Sequence, residues 1–296
     1  MRILVAGATG VVGRRLLPLL VGAGHEVVGM TRFEGRAALV EQLGARAVVA
    51  DVLDREHVAN VVGACQPEAL VHLITDLSQR DFAANDLVRR EGTRHLVDAA
   101  LRAGTRRLVA ASIAFAYAPG TAPAREDDPL DLDAPMPRRR TVAAVAALED
   151  AARELDEPVL LRLGALYGPG TFYAADGLTA LDVRLGRLVA DDAVTSFLHV
   201  DDAARAMLAA LAWPVGIVNV VDDEPAPASE WLPLYAALLH APPVRRGSGR
   251  PAFARGASNR KARRELGLSL LHPSWRGGFP AELGPVSETS SAARSP

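Results

Sequence analysis

Cysteine and lysine are nearly missing from this chain. Cys65 is the single cysteine and Lys261 the single lysine, so arginine supplies almost the whole basic complement of 33 residues. One cysteine excludes a disulfide framework and a thiolate metal cluster, and one lysine confines any amine chemistry to one position. Aromatic residues make up only 5% of the chain, with four tyrosines at Tyr117, Tyr167, Tyr173 and Tyr235. No apolar run reaches membrane-spanning length. The seven histidines show no H-x-x-x-H or H-E-x-x-H spacing and no acidic run reads as a calcium loop, so no metal site is expected. The formal net charge of -2 gives no reason to invoke nucleic acid or an anionic membrane. A strand starting at residue 2 is expected to leave no room for a signal peptide, and the cytoplasm is the expected location.

What is present is ordinary globular composition: 296 residues, 49% hydrophobic and 23% charged, enough to bury a large core. The chain is organised around its opening stretch, MRILVAGATGVVGRRLLPLL. Arg2 to Ala6 read as a short buried strand. Gly7, Gly10 and Gly13 follow, and Val11, Val12, Leu16, Leu17, Leu19 and Leu20 then recur at helical spacing. A strand that passes through glycines into a helix builds a pyrophosphate cradle: Gly7 allows the tight turn, Gly10 lets amides approach the phosphates, and Gly13 lets the helix pack closely. The helix N-terminus adds unpaired donors and a positive dipole end. Ala8, Thr9 and Val11 complete the expected contacts. The spacing G-x-x-G-x-x-G differs from the G-x-G-x-x-G fingerprint, and a plain glycine-rich turn is the alternative.

Strand two is expected at Glu26–Thr31, a helix at Arg36–Leu43, and strand three at Ala47–Ala50. Strand four follows at Ala69–Thr75, a long helix from about Phe82 to Ala103, and strand five at Arg107–Ser112. An irregular Pro- and Asp-rich stretch, Ala118–Pro137, precedes an Ala-rich helix at Arg139–Leu155 and strand six at Val159–Leu163. This alternation means right-handed βαβ units and an α/β fold, a Rossmann-type doubly wound parallel sheet. Helices near Leu178–Leu188, Asp201–Ala212 and Ser229–Leu239 and a strand at Gly216–Val221 suggest a smaller C-terminal substrate lobe. The expected division is residues 1–166 plus about 213–222 for the dinucleotide-binding domain and about 167–212 and 223–283 for the lobe. Residues 284–296 are small and polar, and are expected to form a disordered tail.

The end of the second strand chooses between the two nicotinamide dinucleotides, because a carboxylate there binds the ribose 2′-OH and an arginine accommodates a 2′-phosphate. Here the strand ends Met30-Thr31-Arg32 with no acid before Glu34. Arg32 can fork onto a phosphate, with Arg14 or Arg36 assisting. NADP is therefore the expected cofactor, with NAD as the alternative. Asp51 and Val52 fall where an adenine contact is expected, and Leu73, Ile74 and Thr75 close the list of expected cofactor contacts at the end of strand four.

From Met1 to about Phe279 the chain resembles the extended short-chain dehydrogenase/reductase family, the NAD-dependent epimerase/dehydratase group. Glu91-Gly92-Thr93 with His95-Leu96-Val97-Asp98-Ala99-Ala100 resembles its helix-four signature. Leu161-Arg162 through Tyr167-Gly168-Pro169-Gly170 resembles its strand-six loop near the nicotinamide. Phe197-Leu198-His199-Val200-Asp201-Asp202-Ala203-Ala204 resembles its HVDD helix start, with Asp201 expected as the cap. Asn219 to Asp223 and Arg260 to Gly267 resemble its late signatures. The resemblance implies carbonyl chemistry by a Tyr-x-x-x-Lys pair on one helix face, assisted by a serine after strand five. The register set by Glu149 puts Thr141 at the tyrosine position and Val145 at the lysine position. Ser112 lies in the strand-five motif, although counting from Tyr117 puts Ile113 at the catalytic place.

The proton source must then come from elsewhere. Tyr117, just past strand five, is the first candidate, followed by Ser112, Thr141 and Tyr167; Tyr173 and His199 stand behind them. Arg138-Arg139-Arg140 either clamp an anionic substrate group or are neutralised by Asp127, Asp128, Asp131 and Asp133. The resemblance also implies a homodimer through helix four and the Ala-rich helix. The expected function is an NADP(H)-binding enzyme acting on a small molecule, an oxidoreductase or epimerase/dehydratase with a non-standard proton relay. A non-redox lyase, cyclase or isomerase of specialised metabolism with structural NAD(P) is the alternative, and a nucleotide-sensing regulator the third reading.

Overall fold

The computed structural model describes residues 1–77 and 80–284. Six strands open the chain: β1 (Arg2–Ala6), β2 (Glu26–Thr31), β3 (Arg46–Val49), β4 (Ala69–His72), β5 (Arg107–Ile113) and β6 (Glu157–Leu163). The helices among them are α1 (Gly13–Gly22), α2 (Ala37–Gln42), α3 (Arg55–Cys65), α4 (Phe82–Leu87), α5 (Thr93–Arg102) and α6 (Arg138–Ala152). The chain continues through β7 (Ala165–Tyr167), α7 (Leu178–Arg184), β8 (Val189–Ala190), β9 (Val194–Thr195), β10 (Phe197–His199) and α8 (Val200–Ala210). It returns to the sheet edge as β11 (Gly216–Val220), and β12 (Ala226–Pro227), α9 (Ala228–Leu238), β13 (Arg245–Arg246) and α10 (Trp275–Leu283) follow.

The central sheet has seven strands in the order β11-β6-β5-β4-β1-β2-β3, all parallel. A parallel sheet is covered on both faces, which is why β1 carries Ile3, Leu4 and Val5 in succession with none exposed. Alternate residues serve opposite layers. Ile3 and Val5 meet Leu16, Leu17 and Leu20 of α1 and Met207 of α8. Leu4 and Ala6 share the other layer with Val58 and Val62 of α3, Leu96 of α5 and Leu148 of α6. The strand order reverses between β1 and β4, the place where such a sheet leaves a ligand crevice beyond its carboxyl edge. A separate aromatic core, including Tyr167, Phe197, Trp231, Tyr235, Trp275 and Phe279, fills the region after β6.

Several elements differ from the sequence expectation. No element is expected between Asp51 and Ala69, yet α3 occupies it; its signal is Asp54, whose side chain accepts from His57 N–H at 3.0 Å as an N-cap. The long helix expected from Phe82 is α4 and α5 joined by a π-helical turn at Val88–Gly92. Gly92 lets that turn close on Val52, whose Cγ1 would stand 2.8 Å from an added Cβ. The fourth strand ends at His72 rather than Thr75. The helix α10 was not anticipated; Trp275 and Phe279 point it into the aromatic core. The tail expectation falls outside the described residues beyond Gly284.

Candidate functional site

Two of the three glycines after β1, Gly7 and Gly13, are sterically required. Gly7 has φ +94°, and a Cβ there would stand 2.9 Å from the Leu73 carbonyl carbon. A Cβ on Gly13 would stand 2.4 Å from the Gly7 carbonyl oxygen, so α1 packs on the turn with no room for a side chain. The Gly7 and Ala8 amides both donate to Met30 O (3.3 and 3.2 Å), and Gly10 N–H donates to Gly7 O at 3.1 Å. Among the described residues the amides of Thr9, Val11 and Val12 have no backbone acceptor. Unused donors at a helix N-terminus, beside an exposed Gly10, fit a pyrophosphate. Arg14 and Arg15 line a shallow cavity beside this turn with Pro169 and Gly170.

The other expected cofactor contacts lie around the same edge. Thr9 Oγ1 and Thr31 Oγ1 are 3.3 Å apart. Arg32 and Arg36 both lie against the Phe33 ring, at 4.6 and 5.3 Å from its centroid, and Arg32 pairs with Asp76 at 3.2 Å. Asp51 folds onto its own turn by accepting from Leu53 N–H at 2.9 Å, and Val52 is buried, its carbonyl bonded to His95 Nδ1 at 2.9 Å. Leu73 and Ile74 are half-buried and Thr75 is exposed. His72 supports this loop. Burial, with the Arg89 charge adding to it, pulls its pKa down to about 4 and keeps the ring neutral. Ile74 N–H donates to Nδ1 (3.3 Å), so Nε2–H is left to donate to Thr93 Oγ1 (2.8 Å). Across the crevice Arg80 binds α7 through Asp182 and, at 3.2 Å, Thr179 Oγ1.

The four candidate catalytic residues do not meet at one place: Ser112 and Tyr117 share a network, whereas Tyr167 and Thr141 each lie apart. Ser112 donates to Glu149 Oε1 at 2.7 Å, and Glu149 holds Arg162 through both oxygens at 2.8 and 2.7 Å. Burial works against the Arg162 charge, but the paired carboxylate outweighs it and its pKa stands above the ordinary value. Tyr117 lies on the same network: its ring faces Arg162 at 4.6 Å, and its hydroxyl donates to Asn219 Oδ1 at 2.6 Å. Burial pushes the Tyr117 phenol up to about 12. Tyr167 sits in the aromatic core instead, fully buried and edge-on to Phe279 at 5.1 Å, its pKa raised by burial and by the Asp222 carboxylate. Thr141 stands apart, half-buried, with Oγ1 donating to Asp86 Oδ2 at 3.4 Å, while Val145 is buried against the β5 and α6 side chains.

Of the arginine triplet, Arg138 is tied to Asp131 (2.7 Å) and to two backbone carbonyls, and Arg139 to Ala134 O (2.8 Å). Arg140 pairs with Asp86 at 3.1 Å. Asp86 is 2% exposed and carries no motif that marks it in the sequence. The expected cap of α8 is corrected: His199 Nδ1 accepts from Asp201 N–H at 3.2 Å, whereas the Asp201 carboxylate pairs with Arg15. His199, Asp201 and His272 bring possible metal-ligand atoms within 4.8 Å of one another, yet the first two are already engaged in these contacts.

Neither a phenol nor an amine reaches Thr141. Tyr117 is committed to Asn219, Tyr235 donates to Tyr173 O at 3.0 Å, Tyr173 packs edge-on to Phe197 and Tyr235, and Lys261 donates to Ile217 O at 2.6 Å. The glycine turn can hold a dinucleotide, and around Thr141 the side chains present are a hydroxyl, the Asp86 carboxylate and the Arg140 guanidinium.

A model of the NAD-dependent epimerase/dehydratase family matches residues 3–221. A 3-diazoavenalumate denitrifying reductase from a Streptomyces species is 48% identical over 95% of this chain and all of its own. Among solved structures, a dTDP-glucose 4,6-dehydratase from Streptomyces venezuelae with NAD and TYD bound superposes with TM-score 0.77 at 21% identity, over 96% of either chain. A UDP-glucose 4-epimerase from Thermus thermophilus in complex with NAD superposes with TM-score 0.75 at 23% identity, over 96% of this chain and 98% of its own. Helices long and apolar enough to cross a membrane are absent among the described residues.

Proposed function

The chain belongs to the NAD-dependent epimerase/dehydratase family, and we propose that it is an NADP(H)-dependent reductase of a small aromatic carboxylate bearing a diazonium group, which it removes as dinitrogen. The observation that carries this reading is the pair Thr141 and Val145, a hydroxyl bound to Asp86 and a buried aliphatic where the family resemblance expects an acid and an amine. Reducing a carbonyl leaves an oxyanion that must be protonated. A diazonium carbon makes no such demand. Hydride addition forms the C–H bond, the C–N bond breaks with its electron pair on nitrogen, and N2 leaves without a proton entering. The 48% identical Streptomyces relative is named for a denitrifying reduction of a diazo compound.

When bound, the reduced nicotinamide supplies the hydride. The chain's part is to hold and orient. The Gly7 to Gly13 turn takes the pyrophosphate, and Arg32 with Arg36 takes a 2′-phosphate. Thr141, fixed by Asp86, presents a hydrogen-bonding edge to the substrate. Ser112, Tyr117 and Tyr167 are given supporting roles in this reading, because their hydroxyls are buried away from Thr141. We also assign a homodimer through α5 and α6, supported by the exposed Ala143 and half-buried Ala146 and Ala147 of α6 and by the exposed Leu101 of α5; a monomeric mass in solution excludes it.

The test uses NADPH and 4-carboxybenzenediazonium as the probe, following absorbance at 340 nm together with dinitrogen by mass spectrometry. The expected result is enzyme-dependent oxidation of one NADPH per N2 released. Nucleotide oxidation without N2, or N2 release at the rate seen without protein, overturns the proposal.

A further inference from the structure

Arg32 follows β2 directly and Asp76 lies four residues beyond β4, and these strands are the two neighbours of β1 in the sheet. Two strand spacings, about 9.6 Å, separate their backbones. The side chains nevertheless meet, with Nη1 to Oδ2 at 3.2 Å. The ion pair therefore arches over the end of β1, where Gly7 begins the pyrophosphate turn. Both ends of the arch are pre-set. Asp76 N–H donates to Oδ1 of Asn85 at 3.0 Å, and Asn85 is 1% exposed. Arg32 is stacked on Phe33, whose ring also takes Arg36.

We propose that Asp76 is a specificity-determining residue that competes with the cofactor's 2′-phosphate for the Arg32 guanidinium. This deepens the NADP(H) reading above and rests on it. A carboxylate and a phosphate monoester dianion present the same acceptor geometry to an arginine fork. A nucleotide with a 2′-phosphate has to draw Arg32 away from Asp76. A nucleotide with a free 2′-OH leaves the pair as it is. Asp76 thus narrows the preference for NADPH over NADH that Arg32 and Arg36 set.

The experiment is a fluorescence titration of NADPH and NADH against the wild type, Asp76→Asn, Arg32→Ala and the double variant. Both side chains are partly exposed (44% and 28%), so the pair is screened and the expected effect is modest. Asp76→Asn should tighten NADPH about two- to five-fold, as the loss of an exposed ion pair permits, and leave NADH unchanged. In the Arg32→Ala background the same substitution should do nothing. Equal tightening of both nucleotides, no change, or weakening of NADPH by Asp76→Asn overturns the proposal, as does an effect that persists without Arg32. If Arg32→Ala itself leaves NADPH binding intact, the NADP(H) reading fails; if Arg32→Ala weakens NADPH while Asp76→Asn is silent, only the competition fails.

Discussion

Replacing Gly13 by alanine adds one methyl group where the backbone leaves no space. That Cβ would stand 2.4 Å from Gly7 O, 2.6 Å from Ala8 O and 2.7 Å from the Ala8 carbonyl carbon. All three atoms are main chain of the turn, so relief requires α1 to move away from β1. Overpacking of this kind costs about 1–3 kcal/mol, which in a chain near this size lowers Tm by about 2–12 °C. The shift also withdraws the α1 N-terminus from the phosphate position, and NADPH affinity should fall about ten-fold, the equivalent of about 1.4 kcal/mol. Gly63→Ala is the matched control: Gly63 lies in α3 with nothing within 4 Å of an added Cβ, so the helix should gain about 0.5–1 kcal/mol and nucleotide binding should not change. Calorimetry and NADPH titration read both variants. A Gly13→Ala protein that melts and binds like wild type would refute the close packing of helix on turn.

Turnover of the diazonium probe should be flat in kcat between about pH 6 and pH 9, because His72, at about 4, and Tyr117, at about 12, titrate outside that range; a one-proton limb there that persists in Asp222→Asn would reveal a general acid. Burial raises Asp222 from 3.8 to about 8. The folded state then holds a proton that the unfolded chain has lost, so stability falls as pH rises from about 4 and levels off above about 8. Between pH 6.5 and 8, where the residual titration of His72 in the unfolded chain is common to both proteins, denaturant titrations should show this decline in wild type relative to Asp222→Asn; an equal slope in both contradicts the assignment. Glu149→Ala leaves the Arg162 guanidinium, 3% exposed, without its carboxylate and should cost about 3–5 kcal/mol; a loss below about 1 kcal/mol would show that the network contributes little.

The sheet, its order of βαβ units and the glycine turn were legible because each rests on neighbours in sequence: apolar runs for buried strands, Gly7 and Gly13 for a turn, Leu16 and Leu20 for the inward face of α1. The reading that Thr141 and Val145 stand where the family resemblance expects an acid and an amine comes from register alone, and it enters the account only as part of the proposal. The partners of the polar residues were not legible. Ser112 finds Glu149 37 residues away, Tyr117 finds Asn219 102 away, and Arg32 finds Asp76 44 away. These pairings arise from strand order, which brings β4 beside β1 and α6 onto β5, and a linear pattern holds no record of them. The helix α3 was missed for a simpler reason: its inward stripe is only Val58, Val62 and Cys65, too thin to stand out. At α8 the sequence pointed to Asp201 as the cap, but His199 accepts from the Asp201 N–H while the Asp201 carboxylate pairs with Arg15.

The origin of the hydrogen on the product carbon tests the central claim most directly. With NADPH deuterated at the transferring C4 position and the diazonium probe in ordinary water, the account predicts one deuterium at the carbon that held the nitrogens. With unlabelled NADPH in D2O it predicts none. Solvent deuterium at that carbon would mean that a proton enters the step after all, and would contradict the proposal that Thr141 and Val145 leave the site without an acid.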